Sequence, residues 1–67
     1  MHGLQRIYRD YEITQAEFSR GTGIRESVLT MIINRGTPLE NVKGGNLIKM
    51  ARYLNLTVEE LIEQYGY

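Results

Sequence analysis

The stretch Thr14-Gln15-Ala16-Glu17-Phe18, followed by Gly23-Ile24, Leu29 and Ile32-Ile33-Asn34, decides how this chain folds. Thr14 is a residue type that caps helices, and Glu17 stands three positions on, where its carboxylate can reach back to close a capping box. One short helix later comes Gly23, which tolerates the positive φ of a sharp turn. Val28, Leu29 and Ile32 then recur at helical intervals, so a second helix buries one face and leaves the other clear. Two short helices joined by a glycine turn, the second with a free outer face, have the shape that enters a DNA major groove.

The flanking sequence supplies the rest of a helical bundle. Leu4, Ile7, Tyr8 and Tyr11 share one face of a first helix, and Ile13 is placed as a hydrophobic staple ahead of the Thr14 cap. The spacing predicts a second helix from Gln15 to Arg20 and a third from Glu26 to Asn34. A fourth carries Leu47, Ile48, Met50, Ala51 and Leu54. Thr57 caps a fifth, with Glu60 completing a second box before Leu61, Ile62 and Tyr65. Thr37-Pro38-Leu39-Glu40 reads as a cap, an N1 proline and a box glutamate. It predicts an extra helical turn over Pro38 to Val42, packed by Leu39 and Val42 and stopped by Gly44-Gly45. The expected fold class is all-α, a compact five-helix arrangement forming one domain over residues 1–67.

Composition narrows the function. A chain of 67 residues has too small a core to enclose a large substrate cavity. With no cysteine and one histidine, cysteine zinc sites and cysteine nucleophiles are excluded, and no metal or cofactor is expected. Gly44-Gly45 lacks the Lys-Ser/Thr sequel of a phosphate loop, and nothing pairs a nucleophile with a base, so catalysis is not expected. No apolar run reaches membrane-spanning length and no signal-peptide pattern opens the chain, which predicts a soluble cytoplasmic protein. Net charge is zero but unevenly spread. Residues 20–52 hold Arg20, Arg25, Arg35, Lys43, Lys49 and Arg52 against Glu26 and Glu40, whereas residues 53–67 hold only the acids Glu59, Glu60 and Glu63. The basic excess falls on the segment predicted to face DNA.

The chain resembles the helix-turn-helix domain of lambda-repressor-like and Cro-type proteins, also called the xenobiotic-response-element type. The matching residues are Thr14-Gln15, Phe18 (usually leucine in the family), Ser19, Thr22-Gly23-Ile24, Leu29, Ile32 and Asn34. Leu47-Ile48-Lys49-Met50-Ala51, Leu54 and Leu56-Thr57-Val58-Glu59-Glu60-Leu61 extend the match to roughly residues 4–63. The segment Arg35 to Gly45 departs from it, being a few residues longer than the usual connection. Ile33 stands where relatives often carry an acid that pairs with a first-helix arginine, so that pair is expected to be absent or rebuilt, with Ile33 extending the core.

The resemblance implies a set of DNA contacts. Gln15 matches a glutamine that contacts phosphate and braces a recognition side chain; a plain helix-start glutamine is the alternative. Arg25, Glu26, Ser27, Thr30 and Met31 form the outward head of the third helix. Arg25 takes the place of a Ser or Thr cap and can reach guanine or phosphate, Ser27 and Thr30 can bond bases, and Met31 can lie on a thymine methyl. Glu26 suits cytosine N4 and the helix dipole equally. Asn34 is a phosphate contact or a helix cap. Arg35 is the leading phosphate ligand of the following segment; Thr37 follows it, and the role of Lys43 depends on where the lengthened connection goes.

These readings give a sequence-specific DNA-binding regulator, a repressor acting as a homodimer on double-stranded DNA. In such a dimer two recognition helices lie about 34 Å apart, and Ile62, Tyr65 and Tyr67 are the candidate dimer contacts. The alternative is a protein-binding module, or the antitoxin of a toxin–antitoxin pair, with weak DNA binding of its own and Met31 and Ile33 on its contact surface.

Overall fold

The computed structural model describes residues 1–66 and contains only helices among them. In chain order these are α1 (Gly3–Asp10), α2 (Gln15–Thr22), α3 (Glu26–Arg35), a 3-10 turn (Leu39–Asn41), α4 (Gly44–Leu54) and α5 (Val58–Tyr65). Local sequence chemistry fixes most boundaries. At Thr14 and Thr57 the hydroxyl accepts from the backbone N–H of Glu17 and Glu60, and each glutamate accepts from the cap's own N–H. Each such box stabilises the fold by about 1 kcal/mol. Gly23, Gly36 and Asn55 end α2, α3 and α4 in the left-handed conformation.

One cap has no Ser, Thr, Asp or Asn to announce it. His2 opens α1, its Nδ1 accepting from the Leu4 N–H while Gln5 reaches back to the His2 N–H. Because Nδ1 accepts, the ring proton sits on Nε2, which donates to the Thr37 carbonyl at 2.7 Å. The start of α1 is thereby tied to the chain leaving α3.

The core is continuous. Leu4, Ile7, Phe18, Leu29, Leu39, Met50 and Leu61 are fully buried, drawn from all five helices and the 3-10 turn. Phe18 lies edge-on between Tyr8 and Tyr53, both ring centroids 5.5 Å away, and so joins α2 to α1 and α4. Gly3 permits a second close approach, since a Cβ there would overlap the Tyr65 carbonyl oxygen where α1 meets α5. The same helices are joined at the other end of α1, where the Tyr65 hydroxyl donates to Asp10 at 2.9 Å and the Arg6 guanidinium lies 5.7 Å from the Tyr65 ring. Arg9 pairs with Asp10, while Ile33 is half-buried against the core as expected.

Several expectations are corrected. Helix α2 runs two residues beyond Arg20 because the Thr22 hydroxyl donates to the Phe18 carbonyl and keeps Thr22 in the last turn. The extra turn exists, with Leu39 buried and Val42 half-buried, but it is a three-residue 3-10 turn. Pro38 precedes it at the cap position instead of N1, and no side chain caps it. Gly44-Gly45 does not stop this turn; Val42 does, by turning extended, and the two glycines open α4. Glycine is tolerated there because the first turn of a helix makes few internal donor bonds, while Leu47, Met50, Ala51 and Leu54 hold the helix down. Ile48 points outward, and Tyr11 ends α1 exposed. Tyr65 is buried against the core with Ile62 half-buried beside it on α5, and Tyr67 lies outside the described residues.

Two predictions concern the α1–α5 contact. Gly3→Ala is expected to cost about 1–3 kcal/mol, because its methyl meets rigid backbone; urea unfolding measures this, and an unchanged midpoint would refute the close approach. The Tyr65 hydroxyl and Arg9 hold Asp10 below its ordinary value, so its contribution is complete above about pH 4 and is lost as pH falls through the lowered value. Ring burial and the Asp10 carboxylate push Tyr65 up to about 12, so the same contact is lost again as pH rises from about 10 toward that value. Asp10→Asn is expected to flatten the fall of the melting temperature below pH 4, and an unaltered profile would remove Asp10 from the account.

Candidate nucleic-acid interface

The interface begins with the turn that aims α3. Gly23 takes φ 79°, a conformation that a side chain would strain, and its N–H donates to the Ser19 carbonyl. Two hydroxyls hold the turn. Thr22 accepts from the Ile24 N–H at 3.2 Å while donating to Phe18, and the Ser19 hydroxyl donates to the Ile24 carbonyl. Ile24 itself is buried. With the Gly23 and Ile24 N–H groups and the Ile24 carbonyl bonded and the turn's one large side chain in the core, the angle between α2 and α3 is held from both sides.

Helix α3 then divides cleanly. Leu29 and Ile32 are buried and Val28 and Ile33 half-buried, while Glu26, Ser27, Thr30, Met31, Asn34 and Arg35 are exposed in one continuous stripe. Arg25 stands exposed at the cap position with no side-chain capping bond, as expected of an arginine there. Asn34 is not the helix cap: it lies within α3, and Gly36 ends the helix in the left-handed region.

Gln15 is the one candidate placed beneath the stripe. Half-buried at the start of α2, its Nε2 donates to the Thr30 hydroxyl at 2.8 Å and lies 3.5 Å from the Glu26 carbonyl. Its Oε1 accepts from the Tyr8 hydroxyl at 3.2 Å. The Glu26 carbonyl selects this amide orientation, since the flipped one would set oxygen against oxygen. Burial, and then the Glu26 carboxylate, push the Tyr8 phenol up to about 12, so at neutral pH it remains the donor. Thr30 therefore receives a hydrogen from inside the protein and keeps its own to offer outward, to an acceptor. Tyr8 is the member sequence reading missed. Its helical spacing showed that it packs, and only the fold shows where its hydroxyl lands.

The segment after α3 carries the remaining candidates. It doubles back so that Arg35, Thr37 and Lys43 line one groove of about 380 Å³ at the end of the exposed stripe, together with Val28, Met31 and Val42. Lys43 is exposed at the start of α4. Thr37 is half-buried, with its carbonyl engaged by His2. The lining holds two cations and no carboxylate. Expected separately in sequence, Arg35 and Lys43 thus share a single basic groove.

Among the described residues no group of acids and histidines could hold a metal ion, and no helix is long and apolar enough to cross a membrane. Neither curated proteins nor solved structures give a significant match to this chain. The model of the Cro/C1-type HTH DNA-binding domain matches residues 3–65, a DNA-binding regulatory fold and not an enzyme family. Since that match takes in every helix from α1 to α5, the chain belongs to the Cro/C1-type helix-turn-helix DNA-binding family.

Proposed function

We propose that this protein is a sequence-specific transcriptional repressor that lays α3 in the major groove, and that residues 1–67 act as one DNA-binding domain. The observation that carries the reading is the bond from Gln15 to Thr30 beneath an otherwise exposed polar stripe. A hydroxyl held from behind and left to donate forward suits the N7 and O6 of guanine or the O4 of thymine. Arg25 and Ser27 flank it at the head of the helix, where base edges are met. Met31 offers an apolar contact for a thymine methyl, and Glu26 can accept from cytosine N4. Asn34, Arg35, Thr37 and Lys43 follow along the groove, and their role is to fix register on the phosphate backbone.

One copy offers few cations to phosphates, chiefly Arg25, Arg35 and Lys43, so it releases few counterions and tight binding calls for more than one copy on the DNA. Self-association is therefore part of the proposal. A second reading, a protein-binding module or antitoxin, draws support from the zero net charge and from Met31, which is exposed on the stripe.

Fluorescence anisotropy with promoter DNA and a scrambled duplex separates these roles. Thr30→Val is expected to cost about 1–3 kcal/mol on the preferred sequence and little on the scrambled one. Gln15→Ala is expected to follow it in direction. Arg35→Ala is expected to weaken both duplexes alike and to lower the salt slope by about 1. Equal, feeble binding of the unaltered protein to both duplexes would reject the repressor and leave the protein-binding reading.

A further inference from the structure

The 3-10 turn separates two grooves of opposite character. On one side is the basic groove of Arg35 and Lys43. On the other is a larger groove of about 640 Å³, formed with the start of α1 and with α5. Its apolar lining includes Pro38, Leu39, Ile62 and Tyr65, and its charged residues are Glu40 and Glu63. Both carboxylates are exposed, and the only ion pair found among the described residues joins Arg9 to Asp10. An occupant must therefore bring a bulky apolar side chain with cations beside it. A copy of the same groove cannot serve, because a two-fold contact centred here would set acids against acids.

The chain itself carries a complementary surface. Its large exposed apolar residues are Met1, Tyr11, Met31, Ile48 and Tyr53. Met31 belongs to the recognition stripe, Tyr53 packs against Phe18, and Tyr11 sits between Asp10 and Glu12. Met1 directly precedes His2 and Gly3 of the acidic groove itself, so it belongs to that side of the contact. Ile48 is left, 48% exposed on α4, with Lys49 adjacent and Arg52 one turn on along the same face. None of these three lines the acidic groove.

We propose that the groove between the 3-10 turn and α5 docks the α4 face of a second copy of this chain, with Ile48 on its apolar floor and Lys49 and Arg52 facing Glu40 and Glu63. The contact is heterologous, so each copy keeps one groove and one knob unused and association continues beyond two chains. Burial of Ile48 against the apolar lining adds to affinity, and the charges set orientation. The proposal deepens the self-association proposed above. It gives bound copies the same polarity along DNA, which calls for directly repeated sites in place of a palindrome.

Sedimentation equilibrium without DNA tests it, so that failure here is distinct from failure of DNA recognition. The unaltered chain is expected to show an average mass that rises with concentration past that of a dimer. A groove variant (Glu40→Lys with Glu63→Lys) and a knob variant (Ile48→Glu) are each expected to lose at least about tenfold in association. Both change exposed side chains, and circular dichroism checks that each stays folded. Mixed together, they are expected to form a pair that stops at two, because one intact groove and one intact knob remain. An unaltered chain that stays monomeric overturns the proposal, as does one that halts at a dimer insensitive to these changes. If the monomer instead binds an added peptide with Lys or Arg around a bulky apolar residue, the groove belongs to a foreign partner.

Discussion

Phe18 is fully buried with a tyrosine ring edge-on at either side, and the remaining geometry follows from that arrangement. Edge-on aromatic contacts add to plain burial and fix orientation as well as distance. Tyr53 presses over Gly21, where a Cβ would overlap its ring, so α4 lies closely against α2. Tyr8, held on the other side, extends its hydroxyl to Gln15, and Gln15 reaches Thr30. One ring contact thus couples the packing of α1 on α2 to the orientation of a side chain on the exposed face of α3. On the proposed reading, the core determines hydrogen-bond polarity at the DNA surface. Because Gln15 and Thr30 share a bond, their substitutions are coupled and their costs are not additive.

Charge is arranged by segment and not in total. The connection from α3 to α4 sends Arg35, Thr37, Asn41, Val42 and Lys43 to one groove and Gly36, Pro38, Leu39 and Glu40 to the other. Leu39 is fully buried, so the connection cannot rotate without exposing it. Both faces are therefore fixed by one apolar anchor. A neutral chain can in this way present a basic surface toward phosphates and an acidic one toward a cationic partner, with neither cancelling the other over the short range at which salt leaves charges effective.

Sequence alone revealed the parts of the fold governed by local chemistry. The Thr14 and Thr57 boxes, the Gly23 turn and the apolar periodicity each depend on residues within a turn or two, and each appears where expected. The failures share a different cause. Gly44-Gly45 resembles a stop, yet it opens α4, because burial of Leu47, Met50, Ala51 and Leu54 outweighs the poor propensity of two glycines. The cap at His2 was not anticipated, because histidine is not among the usual capping residues. The His2-x-x-Gln5 spacing was a weak capping signal, and the bond to Thr37 spans 35 residues that no local pattern connects. For Tyr65 core packing and dimer contact both stood open, because helical spacing cannot tell a core-facing aromatic from a contact surface; the ring is buried. The stripe on α3 was legible since every member follows from one helix and one turn, whereas the convergence of Arg35 with Lys43 depended on the path of the connection.

The His2 bond bears on how firmly that connection is held. The segment from Thr37 to Lys43 contains a single three-residue turn, few backbone bonds of its own, and no side-chain cap. Such segments open locally at little cost unless they are tied to something rigid. Leu39 ties it through burial, and His2 ties it through the Thr37 carbonyl, which pulls on α1 and hence on the Gly3–Tyr65 contact. The two grooves consequently share their supports with the α1–α5 packing. A change that loosens α1 from α5 is transmitted to the basic groove at the end of α3 and to the acidic groove beside α5 together, although it touches no charged residue in either.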